Sequence, residues 1–274
     1  GSSAATVAAV GRLLYPSLRD KGYTEKFASG VVTSSGAIAI VIPPSIAMIL
    51  YGVAAEEDIA RLFIAGILPG LFMALLMGIY IYLYARAKGI RESEGFRWRA
   101  VLTTTRDGIW ALGSPFIILG GIYSGWFSPT ESGGVACVYA ILVTRYIYKD
   151  IDWAGIWEVT ISSAYLSAQV LIIVAAASIY SWLLTVSGVP QAVAAFITDI
   201  AAEPWLVLLA INILLLIVGS VLDPNSAILV LTPLLVPVIK ILGIDPIHFG
   251  IIMTVNLAIG MFTPPFGLNI FVAK

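Results

Sequence analysis

The sequence has few charged residues and few of the side chains that bind transition metals. Only 11% of its 274 residues are charged, and it contains one cysteine and one histidine. His and Cys are therefore too few for a zinc motif, and Asp and Glu are too dispersed for a nuclease site. The net charge of −1 excludes a general binder of polyanions. We expect Cys137 to be a small core residue and His248 to lie in a solvated loop.

Apolar residues dominate the composition. They make up 59% of the chain, and the mean hydropathy is +0.98. The charged share of 11% is less than half of the about 25% found in soluble domains. Apolar runs long enough to cross a bilayer recur at residues 62–85, 163–186 and 249–273. This pattern predicts an all-α polytopic membrane protein.

Two proline pairs interrupt the apolar runs. Pro43-Pro44 and Pro264-Pro265 each lie in the middle of a run, and a proline has no N–H and clashes with the carbonyl four residues earlier. Each pair should therefore break its helix and free backbone carbonyls. Irregular backbone is tolerated at membrane depth only where protein, water or a ligand covers it. Two broken helices in matching places indicate the central ion and substrate site of a secondary transporter.

The two broken helices belong to an internal repeat. Adding 221 to the residue number aligns them without a gap, and the same shift places Ser2 on Asp223. The residues that match under this shift are Pro16 with Pro237, Gly22 with Gly243, Thr33 with Thr254, Ala37 with Ala258, and the proline pairs. We expect a re-entrant hairpin before each broken helix, with one tip near Ser2 and the other near Asp223.

The distribution of Lys and Arg predicts the orientation of the repeat units. Residues 86–108 form the densest basic stretch and should be a cytoplasmic loop. Counting spans backwards places the acidic turn 56–58 outside and the loop 19–26 inside. Loop 240–248, which corresponds to 19–26, lies outside by the same count. The two units therefore have opposite orientations, as in the inverted repeats of many secondary transporters.

The connecting segments carry weaker signals. Residues 151–162 alternate aromatic and acidic side chains, which is typical of an interfacial helix, and residues 191–203 predict a short amphipathic helix. Pro-Thr-Glu at 129–131 predicts a turn, with Glu131 at the interface.

Comparison of the units predicts that the chain is incomplete. If the units are alike, about 110 residues precede Gly1 and a copy of the 62–85 span follows Lys274.

The motifs as a set resemble the large membrane subunit of the tripartite ATP-independent periplasmic (TRAP) transporters. The resemblance covers the whole chain in the right order. Its motifs are GSSAAT at 1–6, IPPS at 42–45, YG at 51–52, LFIAGILPG at 62–70, PTE at 129–131, GSVLD at 219–223, HFG at 248–250 and TPPFGLN at 263–269.

This resemblance implies a multi-pass importer in the bacterial inner membrane. It implies sodium-driven symport of organic acids, such as C4-dicarboxylates or sialic acid, with two sodium sites and Na⁺ as the only metal. The implied partners are a small four-helix membrane subunit and a periplasmic substrate-binding protein, with no nucleic acid and no enzymatic activity. It also implies an elevator motion, in which a transport domain moves against a scaffold.

Sodium is a hard cation and takes oxygen ligands, as calcium and magnesium do. Freed carbonyls and hairpin-tip side chains would supply them at two symmetry-related places. The candidates in the first unit are Ser2, Ser3, Ala39, Ile42 and Pro44, and those in the second are Asp223, Gly260, Thr263 and Phe266. For the serines and for Asp223, capping of a helix N-terminus is an alternative role.

The substrate should lie between the two tips, where half-helix N-termini favour a carboxylate. The candidate contacts are Ser45, Asn225, Pro265 and Asn269. Asn256, Ser34 and Ser35 are further polar residues on the broken helices. For these three and for Asn269, hydrogen bonding between helices is an equally good explanation.

We expect three parts: residues 1–53 and 204–274 as the halves of the transport domain, and 54–203 as scaffold and connecting helices. Three other functions remain open at this point. A two-hairpin symporter that works without a binding protein is one, an intramembrane enzyme is another, and a channel is the third. An enzyme is disfavoured because no Ser/His, paired-Asp or His-rich constellation lies at membrane depth.

Overall fold

The computed structural model describes residues 1–90, 98–189, 191–193, 195 and 203–273, and these ranges form helices joined by short turns. The helices are α1 Ser3–Asp20, α2 Glu25–Ile38, α3 Ile46–Ala55, α4 Ile59–Ala87, α5 Trp98–Tyr123, α6 Pro129–Leu142, a π-helix Val143–Tyr148, α7 Trp153–Val186, α8 Pro204–Val221, α9 Pro224–Ile241, α10 Pro246–Gly260 and α11 Leu268–Val272. Of these, α4, α7, α8 and α9 are long and apolar enough to cross a membrane. The predicted all-helical, polytopic membrane architecture is confirmed.

The chain divides into two compact units. One comprises Gly1–Arg91 with Ala175–Lys274, and the other comprises Glu92–Val174. In the second unit α5 packs against α6, whose first turn is held by a capping box between Ser128 and Glu131. The prediction that Cys137 is a core residue is wrong. Ser132 and Ala136 form the buried face of α6, and Cys137 points away from that face and is exposed.

Two predicted boundaries are also wrong. Residues 153–162 are not a separate interfacial helix but the first turns of α7, because after Gly155 no helix breaker interrupts this stretch. Residues 98–108 of the predicted basic loop belong to α5. Residues 91–97 of that loop lie outside the described residues, as do residues 190, 194 and 196–202 in and around the predicted amphipathic helix.

Both proline pairs break their helices, as predicted. Helix α2 ends at Ile38 and α3 begins at Ile46, and α10 ends at Gly260 and α11 begins at Leu268. The bonds Pro43–Pro44 and Pro264–Pro265 are both cis. We call residues 39–45 the first break and 261–267 the second break. Neither segment can form a regular helical ladder, because its prolines lack the N–H groups that the ladder needs.

The repeat predicted from the sequence is confirmed in the backbone. The bounds of α1, shifted by 221, are those of α9. Helices α2 and α10 start at equivalent positions, and their caps Thr24 and Asp245 accept hydrogen bonds from equivalent N–H groups, those of Phe27 and His248. His248 is exposed, as expected, but it lies in the first turn of α10 and not in a loop.

Contacts between the repeat units come in reciprocal pairs. We call α1–α3 the first half and α8–α11 the second half. Helix α1 contacts α11, and its counterpart α9 contacts α3. Likewise α2 contacts α11, and α10 contacts α3. Exchange of contacts in this way is the property of an interface with two-fold symmetry. The two halves are therefore related by a pseudo-two-fold axis.

The turns of this unit meet in two groups. Thr24 Oγ1 lies 3.2 Å from the hydroxyl of Tyr84, and the rings of Phe27 and Tyr84 stack with centroids 3.6 Å apart. These contacts join the turn after α1 to the end of α4. In the other group, Lys240 Nζ lies 3.9 Å from Glu57 Oε1, which joins the acidic turn to the end of α9. The grouping is the one that the predicted topology requires.

Candidate functional site

The two tips and the two breaks meet at one small cavity of about 110 Å³. We call residues 1–4 the first tip and residues 222–225 the second tip. The cavity is lined by Ser2 and Ser3 of the first tip, Asp223 and Asn225 of the second tip, Ile40 of the first break and Met261 of the second break. The predicted meeting of tips and breaks is therefore seen in the structure.

Helix ends of both polarities face this cavity. Its lining includes the first residues of α1, α9, α3 and α11, which are Ser3, Pro224, Ile46 and Leu268. The N-terminal ends of helices carry free N–H groups and a partial positive charge. Ile40 and Met261 follow the C-terminal ends of α2 and α10, which carry the negative end of the helix dipole. The cavity thus offers both donors for an anion and oxygen ligands for a cation.

Asp223 is the one carboxylate among the residues that line the cavity. It caps α9: one carboxylate oxygen accepts the N–H of Asn225 at 2.9 Å, and the other accepts the N–H of Ser226 at 3.2 Å together with its hydroxyl. These three donors hold the half-buried carboxylate in place at the start of α9. The capping role considered from the sequence is therefore real, and the oxygen that accepts only the N–H of Asn225 keeps a lone pair available for a cation.

The first tip carries a serine at the position of Asp223. Ser2 precedes α1 and makes no side-chain capping bond. Ser3 is buried, and its hydroxyl lies 3.0 Å from Oδ1 and 2.7 Å from Nδ2 of Asn269. The first tip lies close to the first break, as Gly1 shows: a Cβ on this residue would press against the carbonyl of Pro44. Ser2 is thus the less constrained hydroxyl, and Ser3 is fixed by a residue from the other half.

The first break presents several carbonyl groups without hydrogen-bond partners. Within the described part of the chain, the carbonyls of Ala39, Ile42 and Pro44 accept no hydrogen bond. The carbonyl of Ile40, which lies four residues before Pro44 and so loses its helical donor, accepts a hydrogen bond from Ser45 Oγ. Ser45 is buried and also caps α3 through the N–H of Met48 at 3.3 Å. Its side chain therefore has a structural role, and the cavity lining does not include it.

The second break is more fully hydrogen-bonded than predicted. The carbonyl of Gly260 accepts the N–H of Thr263, and the carbonyl of Met261 accepts the N–H of Asn269, both at 3.0 Å. Proline does remove the usual helical donors, but the turn that follows supplies new ones. A carbonyl oxygen has two lone pairs, so one hydrogen bond still leaves room for a cation. The carbonyls of Thr263 and Phe266 accept no hydrogen bond from the described residues.

The second half holds its break against the end of α8. The N–H groups of Phe266 and Gly267 donate to the carbonyl of Ser220 at 3.2 and 2.9 Å. A Cβ on Gly260 would overlap the backbone of Gly219, so the two helices touch through their glycines. This contact fixes the second break beside the second tip.

A scan against protein-family models matches residues 1–274 to the DctM component of the tripartite ATP-independent periplasmic transporters. The chain belongs to the DctM family. Curated relatives agree with this assignment. The C4-dicarboxylate TRAP transporter large permease protein DctM of Pseudomonas aeruginosa is 43% identical over 274 residues, covering all of this chain and 64% of its own length.

Other DctM relatives are named for other substrates. The ectoine TRAP transporter large permease protein TeaC of Halomonas elongata is 39% identical over 273 residues, covering 100% of this chain and 64% of its own length. The isethionate TRAP transporter permease protein DctMQ of Oleidesulfovibrio alaskensis is 38% identical over 275 residues, covering 100% of this chain and 43% of its own length. The DctM chain described here thus spans less than two thirds of these relatives.

Four of the thirteen predicted ligand and contact residues line the cavity: Ser2, Ser3, Asp223 and Asn225. The other nine do not: Ala39, Ile42, Pro44, Ser45, Gly260, Thr263, Pro265, Phe266 and Asn269. Pro265 is exposed, and Asn269 is buried behind the tip. Asn256 donates to Asn212 Oδ1 at 2.6 Å and so joins α8 to α10, as the alternative of a helix–helix bond predicted. The same alternative holds for Asn269, whereas Ser34 and Ser35 donate to carbonyls of their own helix.

The first residues of α3 and α11 also line the cavity, and neither was predicted from the sequence. Ile46 and Leu268 are apolar, so no side-chain chemistry singled them out. The signal was nevertheless present, because each begins the helix that follows a proline pair. Their contribution comes from the backbone at a helix N-terminus. A search for resumed helical pattern after each break would have found them.

Proposed function

We propose that the chain is the membrane translocation part of a sodium-coupled, binding-protein-dependent importer of organic acids in the bacterial inner membrane. C4-dicarboxylates and sialic acid are the substrates that fit this proposal. The observation that carries it is the single cavity at which two tips and two breaks converge. Membership of the DctM family and the substrate names of the relatives support it.

The proposal assigns one sodium site to each half. In the first half the ligands are Ser2 and Ser3 with the carbonyls of Ala39, Ile42 and Pro44. In the second half they are Asp223 with the carbonyls of Gly260, Thr263 and Phe266. The accessible carbonyls of the first break, the capped carboxylate and the spare lone pairs of the second break support this assignment.

The substrate carboxylate would bind between the tips, where helices α1, α3 and α9 present their N-terminal ends. Asn225 is the best placed of the proposed contacts because it lines the cavity. Ser45 and Pro265 would contribute through the backbone and shape of the breaks, and Asn269 through its hold on Ser3. A cavity of about 110 Å³ is smaller than the roughly 300–1,000 Å³ of typical ligand pockets. The tips must therefore separate to admit a dicarboxylate.

We propose that the two hairpins are re-entrant and that, once the tips have closed over the substrate, they move as one body. In our proposal residues 1–53 and 204–274 form the moving transport domain, and residues 54–203 form the scaffold and connecting helices of an elevator. The pseudo-two-fold contacts between the halves support a common body. A small four-helix membrane subunit and a periplasmic binding protein would complete the transporter.

We further propose that the turn 56–58 is periplasmic and that the segment after α4 is cytoplasmic. The Lys/Arg distribution and the contacts that pair Lys240 with Glu57, and Thr24 with Tyr84, support this topology. Cys137 should first be replaced by alanine. A cysteine at the exposed Glu56 should then react with an impermeant reagent in intact cells, and one at Lys88 should not. The reverse labelling would contradict the topology.

Uptake by the complete transporter tests the proposed function. The full-length permease, its small subunit and its binding protein are reconstituted into liposomes, and uptake of labelled C4-dicarboxylate or sialic acid is followed. We expect saturable uptake that requires both an inward sodium gradient and the binding protein. Uptake without the binding protein would favour a symporter that works alone, and unsaturable flux would favour a channel.

A further inference from the structure

A buried amide links the two halves beside the cavity. Asn269, on α11 of the second half, is fully buried, and its side-chain nitrogen donates to the carbonyl of Thr33 on α2 at 3.0 Å. Its two polar side-chain atoms both lie within hydrogen-bond distance of the hydroxyl of Ser3. Both partners belong to the first half. One side chain therefore ties the first tip, the first broken helix and the second half together.

The backbone of the same residue helps to shape the second break. The N–H of Asn269 donates to the carbonyl of Met261 at 3.0 Å, across the break from α11 to the end of α10. Met261 lines the cavity, as does Ser3. A shift of the first tip would therefore move the side chain of Asn269, and its backbone would transmit the shift to the second break. Buried hydrogen bonds of this kind are costly to leave unmade, so the parts move together.

The link has no copy at the pseudo-symmetric position. The residues that correspond to Asn269 and Ser3 are Met48 and Pro224. Neither side chain can donate a conventional hydrogen bond, and the methyl end of Met48 lies against Gly66 of α4. The repeat has thus placed a polar connection on one side of the axis and apolar packing on the other. Packing alone does not explain why a buried polar group occupies this one position.

We propose that Asn269 is a positioning residue that couples the two cation sites, acting through Ser3 and without touching the substrate. This inference rests on the proposed sodium sites. When a cation draws Ser3 into the first site, Asn269 and the second break follow, and the second site is prepared. Thermodynamic coupling is reciprocal, so a cation at the second site favours the first equally. Coupling of this kind typically changes an affinity by about 5- to 150-fold.

Two buried asparagines form a matched pair for the test. Asn269→Leu removes the link between the halves. Asn256→Leu removes the hydrogen bond from Asn256 to Asn212, which joins α10 to α8 within the second half. Each substitution replaces a buried amide with a side chain of similar size. Both should lower thermal stability, because each leaves buried partners unpaired. Only Asn269→Leu should change how the two sodium ions act on each other.

The experiment is an equilibrium titration of sodium binding to the purified complete transporter, followed with ²²Na⁺, with potassium keeping the ionic strength constant. With two coupled sites the Hill coefficient of the unaltered protein should lie well above 1 and below about 2. Asn269→Leu should lower it to about 1 or less, as expected for two independent sites, and raise the half-saturating sodium concentration at least about 5-fold. Asn256→Leu should keep the original Hill coefficient. An unchanged coefficient in Asn269→Leu, or an equal fall in both variants, would overturn the proposal.

Ser3→Ala provides the second arm, because it cuts the link from the other end. Ser3→Ala should also lower the Hill coefficient, and adding Asn269→Leu to it should cause no further fall, since both changes remove one link. If Asn269→Leu does not fold, Asn269→Ala takes its place, and an unchanged coefficient in that variant refutes the coupling. If uptake by the unaltered transporter shows no sodium dependence, the proposed function fails. If uptake is sodium-dependent but sodium binding has a Hill coefficient of 1 or less, the coupling alone fails.

Discussion

The two halves of this DctM chain have the same backbone plan and different chemistry at equivalent positions. Each has a helix that starts at a tip, a capped second helix, a cis-proline break and a resumed helix. Yet the first tip presents Ser2 where the second presents Asp223. Among the described residues, the carbonyl of Ala39 accepts no hydrogen bond, whereas the equivalent carbonyl of Gly260 accepts one. The comparison teaches that breakers and caps determine the chain path, while the side chains at the cavity are free to differ.

The difference has a direct consequence for ion binding. The proposed first site has several accessible carbonyls and hydroxyls but no charge, and the proposed second site has a carboxylate but carbonyls already partly used. A carboxylate attracts a cation far more strongly than a hydroxyl does, especially in a half-buried place. We therefore expect unequal sodium affinities, with the second site the tighter one. The predictions below test this contrast between the halves.

The largest effect should come from the glycine contact of the second half. In Gly260→Ala the new methyl group would overlap the backbone of Gly219, which cannot move aside as a flexible side chain can. We expect a loss of about 3 kcal/mol in the free energy of unfolding. Gly30→Ala in α2 is the control, because its Cβ would meet no atom within 4 Å. Thermal unfolding of the detergent-solubilised protein should separate the two variants, and equal midpoints would contradict the close contact.

A smaller loss of stability is expected from the first break. Ser45→Ala removes the cap of α3 and leaves the carbonyl of Ile40 without its donor. A lost buried hydrogen bond costs about 1–3 kcal/mol, and a lost cap about 1 kcal/mol. We expect about 2 kcal/mol, measured by the same thermal unfolding. Thr24→Ala removes an exposed cap of α2 and should cost about half as much. A loss in Thr24→Ala that matched or exceeded that in Ser45→Ala would refute this ranking.

These two positions also show what the sequence could predict. Proline chemistry marks both breaks, and the spacing of Pro, Gly and capping residues predicts where α1 and α9 begin. Two helix starts were not predicted, that of α7 at Trp153 and that of α5 at Trp98. A polar or interfacial composition suggested a loop or a separate helix there, but such composition does not by itself end a helix. The π-helix at Val143–Tyr148 was not predicted either. Its ladder differs from an α-helix by one residue, and composition does not record that difference.

The contrast between the tips predicts a functional effect with little loss of stability. Asn is as good an N-cap as Asp, so Asp223→Asn should fold normally while losing its charge. We expect the half-saturating sodium concentration for uptake to rise about tenfold, which corresponds to about 1.4 kcal/mol. Ser2→Ala, the equivalent change at the first tip, should raise it less. If Ser2→Ala raised it as much as Asp223→Asn, the proposed inequality of the two sites would be wrong.

The smallest effect is expected at the surface contact between Lys240 and Glu57. Their charged groups lie 3.9 Å apart, and the Lys240 side chain is 53% exposed. Exposed ion pairs contribute between about 0 and 1 kcal/mol. Lys240→Gln should therefore change the unfolding midpoint little, and Glu57→Gln no more. A loss as large as that of Ser45→Ala would show that this pair holds α9 to the turn after α3 more firmly than its exposure indicates.

The candidate site was predictable where it depends on local chemistry and not where it depends on folding. Asp223 was identified by its charge within an apolar stretch, and the break carbonyls by the neighbouring prolines. The pairing of Ser3 with Asn269 joins residues that are 266 positions apart. The spacing of residues in the sequence cannot predict such a contact, because the contact depends on how the two halves pack against each other. The same holds for the hydrogen bond from Tyr51 to the carbonyl of Pro246.

The central claim is that the two tips and two breaks bind sodium, and the thermal stability of the purified complete transporter tests it most directly. A ligand that binds the folded state stabilises it, by about 2.7 kcal/mol at 100 times its dissociation constant. We predict that sodium raises the unfolding midpoint above that in equal potassium, that Asp223→Asn reduces this shift, and that Ser2→Ala with Asp223→Asn nearly abolishes it. A full sodium-specific shift in the double variant would contradict the claim.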